Sequence, residues 1–120
     1  MTVQIQFING IPEKTLPLIK LTKSRNGKTG TATFIFMEPS SFHLLSYPKN
    51  TIHGMYLLWE NKKISSTDIK IIFKNGKPFF LKAIFIFKNS KEWFNFLNFM
   101  NSYSKETGLS FAEKNNHFEE

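Results

Sequence analysis

Gly27-Lys28-Thr29 is the tripeptide that closes a phosphate-binding loop, where the lysine meets phosphates and the threonine a magnesium ion. That chemistry also needs an earlier glycine, five positions before the GK glycine, and Thr22 stands there. It needs a helix opening straight after the loop, so that backbone N–H groups face the phosphates. Thr29-Gly30-Thr31-Ala32-Thr33-Phe34-Ile35-Phe36 follows instead, β-branched and aromatic, which favours a strand. Spacing and context both argue against a nucleotide site. Asn26-Gly27 between two strand-like runs is a hairpin signal.

Other chemistry is thinly supplied. Asp68 is the only aspartate, and the glutamates are scattered with no paired spacing. His43, His53 and His117 lie far apart, and there is no cysteine, so thiolate metal sites and disulfides are excluded. No nucleophile-elbow sequence is present. We expect no enzyme activity and no cofactor or metal.

Binding is the better expectation. The net charge is +7, which suits an anionic partner such as nucleic acid, a membrane surface or an acidic protein patch. Fifteen of the sixteen basic residues are lysine, and Arg25 is the exception. The wealth of Phe, Ile, Asn and Lys also matches adenine- and thymine-rich codons, which accounts for part of the basicity. A small basic nucleic-acid-binding module is the alternative reading, since strands with aromatic and basic residues serve single-strand binders. The RNP signature of such modules is missing, and Phe34 and Phe36 read as core.

The elements that must hold these residues fit one domain in 120 residues. Thr2 to Ile8 alternates as a strand, and Ile11 to Thr15 is a turn. Leu18 to Lys23 and Thr31 to Met37 form a first hairpin. A two-residue type I′ loop at Asn26-Gly27 sets Leu21 across from Ala32 and Ile19 across from Phe34. Glu38 to Asn50 is a loop, Thr51 to Glu60 a strand and Asn61 to Ser66 a polar turn. Asp68 to Lys74 and Phe79 to Lys88 form a second hairpin. There a three-residue Asn75-Gly76-Lys77 loop, a type I turn with a glycine bulge, keeps Ile69, Ile71 and Phe73 opposite Ala83, Leu81 and Phe79. The other face mixes Lys70, Lys74, Lys82 and Lys88 with Ile72, Ile84 and Ile86.

The period then turns helical. Ser90 is placed to cap a helix, with Glu92 at its positive end. Trp93, Phe96, Leu97, Met100 and Tyr103 make its apolar stripe, flanked by Phe94 and Phe99, and Gly108 closes it. The fold class is therefore α+β and β-rich: an antiparallel sheet of about five or six strands built from hairpins, with one C-terminal α-helix packed on it. Residues 1–112 form the domain and 113–120 a frayed C-terminal tail. No apolar stretch is long enough for a membrane helix, and residues 1–10 lack signal or transit features.

Four ordered blocks carry a family resemblance. Leu21 to Phe34, LTKSRNGKTGTATF, resembles the LTRSRDGSTGTATF signature of the photosystem II reaction centre W protein family. Gly54-Met55-Tyr56-Leu57 is similar to its GMYL, and Asn75-Gly76-Lys77-Pro78 to its NGKP. Ser90 to Phe111 is similar to its helix and closing turn. The resemblance covers residues 4 to 112 and implies a soluble, non-catalytic assembly factor, peripheral on the stromal or cytoplasmic thylakoid face. It implies binding to photosystem II assembly intermediates, through the core antenna subunit and reaction-centre loops near the secondary quinone site. The antenna subunit's tail would add along a sheet edge. Lys23, Arg25, Asn26, Lys28, Thr29, Tyr56 and Trp93 are the expected partner-binding residues, with no nucleic acid as a partner. A plastid-encoded copy is the expected source, placing the protein in the chloroplast.

Overall fold

A computed structural model describes residues 3–25, 29–45, 50–109 and 113–115. The class is as expected, β-rich α+β with one C-terminal helix, but the strands divide into two sheets rather than one. The smaller sheet runs β2-β1-β5-β6, from β1 (Gln4–Ile8), β2 (Ile11–Pro12), β5 (Met55–Trp59) and β6 (Lys62–Ser66). The larger runs β7-β8-β4-β3-β9, from β3 (Leu18–Lys23), β4 (Gly30–Met37), β7 (Ile69–Lys74), β8 (Lys77–Phe87) and β9 (Glu113–Asn115).

The core lies between the inner faces of the two sheets and α1 (Ser90–Thr107). Aromatic rings tie the three together. Phe7 of the small sheet meets Phe36 of the large one edge-on at 4.9 Å. On α1, Phe96 stacks on Phe87 at 4.7 Å, while Phe99 meets Trp59 at 5.4 Å. One helix therefore covers both sheets. Gly30 permits its close approach, because a Cβ there would lie 2.6 Å from the Trp93 ring.

The first hairpin keeps the expected register, with Ile19 opposite Phe34 and Leu21 opposite Ala32. The Asn26-Gly27 turn itself lies outside the described residues. The second hairpin departs from expectation. Its loop has two residues, Asn75 at φ 54° and Gly76 at φ 78°, the signature of a type I′ turn. The register shifts between Ile72 and Phe73, so Phe73 pairs with Pro78 rather than Phe79. A bulge inside the ladder absorbs the extra residue that a longer turn was expected to take. Ile69 and Ile71 still face Ala83 and Leu81, whereas Phe73 ends 60% exposed.

Other boundaries move for local reasons. The strand expected over Thr51 to Glu60 is confined to Met55–Trp59, and the expected polar turn at Asn61 to Ser66 is instead edge strand β6. A turn at Glu60 and Asn61, both at positive φ, joins them. The polar sequence of β6 suits an edge and hides its strand character. The expected loop after Glu38 contains a 3-10 turn, Ser40–Leu44. Asn89, not Ser90, caps α1: its side chain accepts from the Glu92 amide at 2.9 Å, and Glu92 accepts from the Lys88 amide at 2.7 Å. Gly108 ends the helix at φ 79°, as expected. In the tail expected to fray, Glu113–Asn115 run parallel to β3.

Candidate protein-interaction surface

The expected contact residues fall on three separate elements. Lys23 ends β3 opposite Gly30 and is half-buried. Beyond it the Ser24 amide donates to the Thr29 carbonyl at 3.0 Å, and the Thr29 amide to Ser24 Oγ at 3.3 Å. These bonds hold both strands up to the loop and set Arg25 in an exposed position. Asn26 and Lys28 lie outside the described residues. Tyr56 belongs to the other sheet, half-buried on β5, with Lys63 Nζ 5.8 Å from its ring centre. Trp93 faces inward. It is 1% exposed, packs on Phe87 and sits under Gly30, so its ring serves the core.

Phe34 and Phe36 are likewise fully buried. They offer no face on which a nucleic-acid base could stack.

Strand edges supply a second kind of surface. β6 ends the small sheet and β7 ends the large one. β7 stops short of its neighbour: past Ile84, whose amide bonds the Asp68 carbonyl at 2.9 Å, β8 runs on to Phe87 with β4 on one side only. A cleft of about 400 Å³ opens there, between Lys63–Ser66 of β6, Phe85–Phe87 of β8 and the first turns of α1. Ser66 Oγ crosses it to the Ile84 carbonyl at 2.6 Å. Edge strand β6 and the unpaired end of β8 both border the cleft, and such edges are where an extended segment can add.

Glu13 carries the densest polar constellation and was not singled out from the sequence. Its carboxylate, 7% exposed, accepts from the hydroxyls of Ser41 at 2.6 Å and Ser40 at 2.7 Å. The amides of Ser40, Ser41 and Thr15 add three more bonds at 2.7, 2.9 and 2.9 Å. Burial alone would push its pKa up, and these donors outweigh it and hold the carboxyl below its ordinary value. With four of its bonds from Ser40 and Ser41 and the fifth from its own neighbour Thr15, the group anchors the Ser40–Leu44 turn to the segment after β2. No sequence spacing signals it, because donors and acceptor are 27 and 28 residues apart. Burial, and secondarily Glu13, raises the Tyr103 pKa to about 12, so this phenol stays neutral. His53 pairs with Thr51 Oγ1 at 2.8 Å. Among the described residues no group of His, Asp or Glu is placed to hold a metal, and no helix is long and apolar enough to cross a membrane.

Comparison with known proteins matches residues 5–111 to the family described as Psb28 protein. The chain is 43% identical over 112 residues to the photosystem II reaction center Psb28 protein of Guillardia theta, covering 93% of this chain and 97% of that one. It is 44% identical over 110 residues to the protein of the same description from Rippkaea orientalis, covering 92% and 95%. For that from Synechococcus elongatus the identity is 40% over 113 residues, covering 94% and 99%. The reaction centre W name used for the resemblance is another name for this Psb28-type family.

Proposed function

The chain belongs to the Psb28 protein family, and from that premise we propose that it is a peripheral, non-catalytic photosystem II protein that joins assembly intermediates and leaves before maturation. The observation that carries this reading is the family match along residues 5–111, nearly the whole domain. The partners are the core antenna subunit and reaction-centre loops near the secondary quinone site, on the stromal face of a plastid thylakoid.

The geometry supports two contacts. The first hairpin projects Arg25, whose planar guanidinium suits a carboxylate or carbonyl. The cleft beside Phe85–Phe87 takes an extended tail from the antenna subunit by strand addition. Tyr56 remains in the contact set, and Trp93 acts only by holding the core on which both contacts are built.

A native gel of solubilised thylakoids, blotted for this protein, tests the role. Co-migration with a monomeric photosystem II intermediate and absence from the mature dimer is the expected pattern. Migration only as a free small protein, or with ribosomes, would overturn it. Changing Arg25 and Lys28 together to alanine is expected to weaken association about tenfold or more while the domain stays folded, read by the same gel and by thermal unfolding. Unchanged association would remove the hairpin from the interface.

A further inference from the structure

The outward face of the five-stranded sheet joins the contacts above only at the Ile84–Ile86 rim of the cleft. Its residues follow from the strand registers. One row across β7, β8, β4 and β3 reads Lys70, Lys82, Ile35, Leu18. The next rows read Ile84, Thr33, Lys20 and then Ile86, Thr31, Thr22. On the other side stand Ile72, Phe80 and Met37. None of these thirteen residues is acidic, and Asp68 stands only at the rim.

Two features of this face need a partner to make sense. Lys70 and Lys82 are directly opposite each other, an arrangement that repels across an antiparallel pair. Apolar side chains project on the same face as the lysines, with Leu18 67% exposed, Ile86 62% and Met37 45%. The helix and the small sheet pack on the opposite, inner face and cover none of these three.

We propose that this face rests on an anionic lipid surface. Anionic headgroups relieve the Lys70–Lys82 repulsion, and Lys20 adds a third cation on β3. Apolar side chains interleaved with lysines on one open face suit the acyl boundary of a bilayer, which accommodates each of them. Lysine stems lie along apolar surface and return their ammonium groups to the headgroup level. The contact is weak and reversible, and it holds the protein at the membrane whether or not a protein partner is present.

The test is co-sedimentation of the full chain with two kinds of vesicle, phosphatidylcholine alone and phosphatidylcholine with an equal part of phosphatidylglycerol. Binding is expected only to the mixed vesicles. Each lysine near such a surface is worth roughly fivefold in binding. Lys70→Glu with Lys82→Glu is expected to weaken binding by roughly twentyfold or more, and Leu18→Ser with Ile86→Ser to abolish what survives raised salt. Lys91→Glu with Lys105→Glu changes the net charge equally on the helix and is expected to weaken binding much less. Matching circular dichroism and thermal unfolding are required of each variant, with Lys70→Gln and Lys82→Gln as the milder replacement should the glutamates disturb the sheet. No binding to mixed vesicles would overturn the proposal. So would equal losses from the two lysine pairs, which would leave only net charge. Equally tight binding to soluble polyglutamate would assign the face to an acidic protein instead. Because the assay contains no photosystem II, its failure leaves the assembly reading standing.

Discussion

The two faces of the five-stranded sheet alternate residue by residue along the same strands, yet they obey different rules. On the inner face Phe34, Phe36, Leu81 and Ala83 are fully buried, and Phe34 meets Phe85 and Phe96 edge-on. On the outer face Ile84, Ile35 and Lys82 are in register with the same strands and remain partly or wholly exposed. Burial here is decided by what covers the face, not by the hydrophobicity of the strand. Helix α1 and the small sheet cover one side only.

Adjacent residues on β4 test the contrast between the faces with the largest expected effect. Gly30→Val drives a side chain into the Trp93 ring and the Thr22 carbonyl, at 2.6 and 3.0 Å from the new Cβ. Overpacking of this kind costs about 3 kcal/mol or more, expected as a large drop in the urea midpoint. Thr31→Val, one residue along on the outer face, is expected to stay within about 0.5 kcal/mol. Equal losses would mean that both faces are packed alike.

Glu13 tests the rim of the core by pH. Its folded-state pKa is depressed, so its contribution is full above the ordinary glutamate value of about 4.3 and is lost as pH falls through the lower folded-state value. Glu13→Gln leaves several of the five donors poorly matched and is expected to cost about 2 kcal/mol at neutral pH. Urea unfolding along an acid series checks this. The gap between wild type and variant is expected to narrow as pH drops, and a constant gap would show that charge plays no part.

The smaller effects lie outside the core. Asn89→Ala removes the cap that accepts from Glu92 and is expected to cost about 1 kcal/mol, with Ser90→Ala costing less. Thermal unfolding of the pair distinguishes the two caps. Ile86→Ser on the outer face is expected to change stability least, within about 0.5 kcal/mol, because the side chain is already 62% exposed.

Local patterns were legible wherever a single residue type forces a local geometry. The register of the first hairpin, the positive φ of Gly76 and the helix end at Gly108 were all readable this way. The helix stripe was readable too, with Trp93, Phe96, Met100 and Tyr103 all buried. The turn of the second hairpin is not legible in the sequence because two arrangements keep Ile69 and Ile71 inward, a long turn or a short turn with a bulge. Only the ladder chooses between them. The turn expected at Asn61 to Ser66 hides the edge strand Lys62–Ser66 because an edge strand needs no hydrophobic alternation.

The interaction surface was legible to a smaller degree. The four family blocks pointed to the right family, but Tyr56 stands on the small sheet, Arg25 in the loop beyond β3 of the large one, and Trp93 inside the core.

The amino-acid order alone encodes the β-rich α+β class, the helix with its apolar stripe, the register of the first hairpin and the family. These rest on short-range periodicity, on glycine's access to positive φ and on ordered motifs. The split into two sheets, the Glu13 anchor, the cleft between β6 and β8 and the exposure of the outer face arise in the folded chain. Each depends on contacts between residues distant in the chain, and no local propensity encodes which surface a helix will cover.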